Sequence, residues 1–211
     1  MRKNVLKQTL LAFCLMMAMP FAKAQVRVGD ILCEGDVFVS PNSLEASVNN
    51  AIGVVAYVDA SGKHGWAIAL DDIGEYPWGP NAKDTPLRNH MSKAAAAKDL
   101  DGYANTRTIL KRGYDIAFPA FDSLDFDNGW YLPAIGQLKR LYDNLDKVNE
   151  GLEAAGGTTF SKETEWEYWS STEYSICNAW NIDFNGELHC KDYSFNGNKD
   201  DWRFIRAFKN F

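Results

Sequence analysis

Apolar and polar positions along the chain follow two periods. Short alternating runs at residues 30–39, 53–58 and 66–70 predict strands, with the last two joined by the turn of residues 59–65 into an opening hairpin. Residues 71–90 are rich in Gly, Pro, Asn and Asp and predict a long loop, whose length assigns it a binding or lining role, with disorder as the plain alternative. Short helices are expected at 91–98 and 106–111. The best helix follows Pro133, where Ile135, Leu138, Leu141 and Leu145 recur at three- and four-residue steps while Gln137, Lys139, Arg140 and Asp143 take the other faces. A second helix over 146–155 carries Val148, Leu152 and Ala155 on one stripe and stops at Gly156-Gly157. Strands return at 167–171, 179–184, 188–195 and 202–208, with no internal repeat.

The alternation near the carboxyl end fixes an expected register. Trp180, Ile182 and Phe184 share one face and Asn181 and Asp183 the other. A three-residue loop of Asn185, Gly186 and Glu187 sets Phe184 opposite Leu188 and Ile182 opposite Cys190, which keeps one apolar face and places Asp183 against His189 and Asn181 against Lys191. Cys177 then lies roughly 16 Å along the strand from the partner of Cys190, well beyond the ~7 Å that a disulfide spans. Cys190 is read as a small core residue, and a Cys177–Cys190 bridge would require the chain before Ala179 to fold back.

Composition narrows the compartment. Residues 1–24 hold Arg2, Lys3, Lys7 and Lys23, no acid, an apolar centre and Ala22-Lys23-Ala24 ahead of Gln25, the signature of a secretory signal peptide. Its apolar part reaches about 14 residues, short of the ~20 that span a bilayer, so no integral membrane segment is expected once the leader is removed. Taking its four basic residues from the 22 of the whole chain leaves 18 against 28 acids, a net charge of −10 instead of −6. So acidic a chain is a poor partner for nucleic acid. Residues 25–211 are expected to form a single domain. Cleavage removes Cys14 and leaves Cys33, Cys177 and Cys190, an odd number in an oxidising compartment, so at least one thiol has no partner within the chain.

Several words carry a resemblance: Gly129-Trp130-Tyr131-Leu132-Pro133 opening the helix, Gly156-Gly157 closing the helical region, Tyr168-Trp169-Ser170-Ser171-Thr172-Glu173, Ala179-Trp180, and the terminal Trp202-Arg203-Phe204-Ile205-Arg206-Ala207-Phe208. Together they resemble the Lcl C-terminal domain family, secreted or surface proteins with a C-type-lectin-like fold. Upstream, Ile52-Gly53-Val54-Val55, Gly65-Trp66-Ala67-Ile68-Ala69-Leu70 and Asp101-Gly102-Tyr103-Ala104-Asn105-Thr106 extend the likeness over most of the chain. The family's last strand often reads Val-Arg-Pro-Val; Ile205-Arg206-Ala207-Phe208 stands in its place and keeps the alternation. A narrower likeness is to the variable proteins of diversity-generating retroelements, which scatter Asn, Tyr, Asp and Ser over a binding face of the same fold. The resemblance implies an α+β, C-type-lectin-like architecture of short antiparallel sheets with two or three helices.

Candidate chemistry is sparse. Calcium-dependent sugar binding of the C-type-lectin kind needs a Trp-Asn-Asp run with a Glu-Pro-Asn or Gln-Pro-Asp loop; Trp180-Asn181-Ile182-Asp183 has an insertion and neither tripeptide occurs. Asp125-Phe126-Asp127-Asn128-Gly129 reads as turn chemistry, since no acid closes it at EF-hand spacing. His64, His90 and His189 stand apart, without zinc-ligand or nucleophile-elbow context. Formylglycine-generating enzymes share a related fold but use a close cysteine pair, which Cys177 and Cys190 do not form in the expected register. Arg203 and Arg206 are expected to bond acids such as Glu173 and hold the terminal strand. No cofactor or metal is implied.

Trp180 belongs to the core by its alternation with Ile182 and Phe184. The opposite face is the informative one: Asn181, Asp183, His189 and Lys191 are expected to project together, with Asn178, Asn185, Asn196 and Asn198 at the ends and in the next loop. A solvated edge is the bland account; the functional one is a polar recognition surface. The sequence therefore points to a secreted, periplasmic or cell-surface non-catalytic binding protein, adhesin-like, that takes an extracellular protein or carbohydrate through these residues. The rivals are a formylglycine-generating-enzyme-like or other enzyme on the same scaffold, and a structural subunit of a surface assembly.

Overall fold

The computed structural model describes residues 25–43, 50–111, 117–163, 166–184 and 198–211, together with the backbone of 188–189. The first expected strand is two: β1 (Ile31–Cys33) and β2 (Val37–Val39) pair antiparallel across a turn in which Gly35 and Asp36 have positive φ. β3 (Ala51–Val58) and β4 (Gly65–Ala69) form the expected hairpin. A further strand, β5 (Gly74–Pro77), lies inside the expected loop. Helices α1 (Lys93–Ala96), α2 (Gly102–Leu110) and α3 (Pro119–Asp122), β6 (Trp130–Tyr131), then α4 (Ile135–Asp143) and α5 (Leu145–Ala155) follow. The chain ends with β7 (Glu167–Glu173), β8 (Ala179–Asp183), β9 (Leu188–His189), β10 (Trp202–Ile205) and β11 (Phe208–Asn210).

The protein is a mixed α+β structure. A six-stranded sheet runs β2-β1-β3-β4-β11-β6 and a five-stranded sheet runs β5-β10-β7-β8-β9. Every pairing is antiparallel except β10 with β7, which is parallel. The last expected strand, 202–208, is divided between the two sheets: β10 joins the second, and β11 returns to lie between β4 and β6 of the first. Arg206 and Ala207 make the crossover, and both are buried.

Both long helices feed one core. α4 contributes Ile135, Leu138 and Leu141, and α5 contributes Leu145, Val148 and Leu152, against Val54, Ile68 and Phe208 of the first sheet and Tyr168, Trp180 and Ile182 of the second. The 3.6-residue period of the sequence is this buried stripe. α5 stops where expected, because Gly156 adopts φ +75° and Gly157 N–H donates to Leu152 O at 2.8 Å, a left-handed C-terminal closure.

A second core covers the other face of the five-stranded sheet, where Trp169, Ala179 and Ile205 meet Trp78, Phe118 and Phe121. The second sheet is thus covered on both faces, and every residue of β8 is buried. This corrects the expectation that Asn181 and Asp183 face outward. A period of two identifies two faces, but a second layer drawn from residues 76–124 buries the polar one as well. Those residues include most of the loop predicted over 71–90, which is ordered: Trp78 is fully buried and its Nε1 donates to Ser170 O at 2.8 Å.

Candidate functional site

The register of the C-terminal hairpin differs from the expected one by two residues. Ile182 pairs with Leu188 and Asn181 with His189. A shift of two keeps each side chain on its face, so hydrophobic alternation could not distinguish the two registers. Asn181 therefore does not oppose Lys191, nor Asp183 His189. Asn185, Lys191, Asn196 and Cys190 lie outside the described residues, as does the side chain of His189.

Asn178 and Asn198 are brought together at the rim. Their backbones form an antiparallel bridge, and Asn178 Nδ2 donates to Asn198 Oδ1 at 3.2 Å. Ser175 sets up this corner, because its Oγ donates to Asn178 Oδ1 at 3.1 Å and accepts from the N–H groups of Cys177 and Asn178 at 3.2 Å. Cys177 carries a free thiol. Two large apolar side chains stand exposed beside the bridge in sequence: Ile176 (46%), two residues before Asn178, and Trp202 (66%), four after Asn198.

Asn181 is fully buried, and among the described residues neither its Oδ1 nor its Nδ2 has a hydrogen-bond partner. On the same face stands Trp169, its cross-strand neighbour. The Arg203 guanidinium packs 4.4 Å from the Trp169 ring centre. Arg203 Nε lies 2.7 Å from Glu167 Oε2 and Nη1 3.3 Å from Asp201 Oδ2, distances of ion pairs whose angles fall outside hydrogen-bond geometry. Glu167 pairs in register with Asp183, which is 7% exposed, so Arg203 offsets negative charge that the strand register concentrates.

The acid expected to hold an arginine, Glu173, has a different cation. Glu173 and Lys199, both fully buried, form an ion pair; Thr85 Oγ1 donates to Glu173 Oε2 at 2.5 Å, and Lys199 Nζ donates to Lys83 O at 3.1 Å and sits 4.6 Å from the Trp78 ring centre. Burial pushes the Lys199 ammonium below its ordinary value, opposed by the Glu173 carboxylate. Arg206 pairs with Asp72, Nε to Oδ1 at 2.6 Å. Sequence reasoning missed Lys199 because its setting, Asn-Gly-Asn-Lys-Asp-Asp, reads as a solvated turn, whereas residues 78–85 return along β7 and pack against it.

Beside this pair Asp99 Oδ2 accepts from Thr172 Oγ1 at 2.8 Å and from Asn105 Nδ2 at 2.9 Å, and His90 Nε2 stands 3.9 Å away. Thr172 Oγ1 in turn accepts from Ile135 N–H at 2.9 Å, which ties the helix start to the motif Ser170-Ser171-Thr172-Glu173. The carboxylate is thus spent on positioning two elements. Among the described residues no three His, Cys, Asp or Glu side chains are placed to hold a metal ion, and no helix is long and apolar enough to cross a membrane.

No protein-family model matches the chain, and a comparison with curated proteins gives no match. Among solved structures the chain is similar to a fimbrial protein from Bacteroides ovatus, with a TM-score of 0.69 and 19% identity over 88% of this chain. The chain spans about half of that protein, 49% of its length, and at this identity the likeness is one of fold.

Proposed function

We propose that this chain is a secreted or cell-surface, non-catalytic binding protein of the C-type-lectin-like fold, related to the Lcl C-terminal domain family, that recognises an extracellular protein or glycan at the corner where Asn178 meets Asn198. The carrying observation is the exposure of two large apolar side chains near in sequence to that amide bridge, Trp202 at the start of β10 and Ile176 in the turn between β7 and β8. Exposed aromatic and aliphatic side chains beside polar groups, held by a rigid sheet, are the usual anchors of a recognition surface. Alanine at Trp202 and at Asn178 is expected to weaken capture from a glycan or cell-surface array by about tenfold or more, with the melting temperature held in the Trp202 variant. Unchanged capture in both variants would sink the reading.

A second reading, a subunit of a surface assembly, is favoured by the fold shared with a fimbrial protein. It predicts stable oligomers or co-purifying partners of the full chain in sedimentation experiments. Turnover that depends on a metal or a thiol would replace both readings with an enzymatic one.

A further inference from the structure

A cleft of about 390 Å³ opens at the end of the first sheet, within the size range of small-ligand sites. It is built from residues distant in sequence. Asn210 of β11 and Trp66 of β4 are register partners, Trp66 pairs with Tyr57 of β3, and Tyr131 of β6 and Gln137 of α4 close the floor. Asp101, the N-cap of α2, stands on its wall.

The floor is a fixed polar relay. Gln137 Oε1 accepts from Gly102 N–H at 3.1 Å and Ala134 N–H at 2.9 Å, so its Nε2 is aimed at Tyr131 and donates to that hydroxyl at 2.9 Å. Tyr131 OH donates to Asn210 Oδ1 at 2.6 Å. The relay settles the orientation of the Asn210 amide, and its Nδ2 donates to no described residue. Asp101 Oδ1 caps α2 by accepting from Ala104 N–H at 2.9 Å, and Oδ2 accepts from no described residue. The cleft therefore offers an oriented pair of N–H donors and a carboxylate acceptor.

The groups present discriminate between ligand classes. An anion meets two carboxylates, Asp101 and Asp59, the latter held below the usual range by its hydrogen bond from Ser61. A cation finds the rings taken: Tyr57 and Trp66 stack on each other at 4.5 Å, and the Arg140 guanidinium stands 4.6 Å from the first and 5.6 Å from the second. An apolar ligand would leave the amide and carboxylate unpaired. A neutral polyhydroxylated molecule satisfies both the acceptor and the donors without bringing a charge to either.

We propose that this cleft binds a neutral saccharide unit, at a site separate from the Asn178–Asn198 corner. Titration calorimetry and ligand-observed NMR of the full chain with the methyl glycosides of glucose, galactose, mannose and N-acetylglucosamine test it, with sialic acid and tetramethylammonium as charged controls. At least one glycoside is expected to bind with a Kd of about 1 mM, and neither control to bind. Asn210→Asp keeps an acceptor for Tyr131 but removes the donors, and is expected to weaken the glycoside by about tenfold. Asp101→Asn keeps a good helix cap while removing the charge, and is expected to act in the same direction. Absence of glycoside binding, equal binding of sialic acid, or unchanged binding by the Asn210→Asp variant overturns the proposal. Trp202→Ala is expected to leave glycoside binding unchanged, so the cleft and the corner succeed or fail separately; loss of glycoside binding in the folded Trp202→Ala protein also overturns a separate site.

Discussion

Two regions of this protein bury polar groups equally deeply and use them in opposite ways. Around β7 and β8, Glu173, Lys199, Asn181 and Arg203 are enclosed between two apolar cores. At the end of the first sheet Tyr131 and Gln137 are as deeply buried, yet their relay ends on Asn210, which is exposed at an opening. Of the enclosed groups, Glu173, Lys199 and Arg203 are paired within the chain, so their worth is measured in stability and in fixing how the loop of residues 78–85 lies on the sheet. The open relay leaves donors unspent at its outer end. Polarity inside a fold marks a candidate recognition site where a fixed network delivers free hydrogen-bonding capacity to the surface.

The sharpest way to break the comparison is to open the enclosed ion pair. Lys199→Ala leaves the Glu173 carboxylate buried with Thr85 as its remaining described side-chain partner, and is expected to cost about 3–5 kcal/mol in urea denaturation. The double variant Lys199→Met, Glu173→Gln is expected to recover most of that loss, since neither buried charge remains. A single-variant cost below about 1 kcal/mol would mean that water reaches the pair, as for exposed ion pairs, and that the region is not enclosed.

Arg206 gives the next largest effect. Its guanidinium donates through Nη1 to Ala69 O (3.1 Å) and Leu70 O (2.7 Å), through Nη2 to Thr158 O (3.1 Å), and through Nε to Asp72. The fork thus joins the end of β4, the start of the following loop and the segment after α5 at the crossover between sheets. Lysine keeps the charge but cannot span these acceptors, so Arg206→Lys is expected to cost about 2–3 kcal/mol. A loss equal to that of an exposed arginine, within about 0.5 kcal/mol, would show that the carbonyls find other donors.

Elements were legible where one local signal sufficed. The helices after Pro133 and the β3–β4 hairpin follow from period and turn chemistry. The β8 strand was legible as a strand, but its surroundings were not. Trp180 and Ile182 are core as the alternation requires, while Asn181 and Asp183 are buried by a layer supplied from about 60 to 110 residues earlier in the chain, and no local pattern encodes that. Of the candidate site, Asn178 and Asn198 meet through their side chains, and Asn181 and His189 meet as register partners. The cation for Glu173 was misassigned for the same reason: Arg203, Arg206 and Lys199 are seven residues apart at most, and three-dimensional register alone selects among them.

Asn181 offers a gain instead of a loss. A buried amide with neither atom paired among the described residues costs the desolvation of its polar groups, so Asn181→Leu, similar in volume, is expected to raise stability by about 1–2 kcal/mol. A loss of about 1 kcal/mol or more would show instead that the amide has a partner in the folded protein. Arg203→Met tests its neighbour, whose charge is needed by Glu167, and is expected to act in the opposite direction.

The smallest single-variant effect, at Tyr131, separates the cleft from the enclosed region by pH. Burial pushes the Tyr131 phenol above its ordinary value, and burial with the nearby Asp72 carboxylate does the same for Tyr168. For an acid whose folded-state pKa is raised, folded and unfolded forms are both protonated below the unfolded value near 10, so the full stability is present there. Above it the unfolded chain releases the proton first and stability falls, by up to ~1.4 kcal/mol per pH unit for each such tyrosine. Denaturation midpoints between pH 9 and about 11.5 are therefore expected to drop steeply. Tyr131→Phe should lower the neutral-pH stability by about 1 kcal/mol through the lost relay and make the alkaline decline shallower, leaving the Tyr168 contribution in place. An unchanged alkaline slope in Tyr131→Phe would mean that the phenol ionises in the folded state, and that the floor of the cleft is wetter than its hydrogen bonds to Gln137 and Asn210 require.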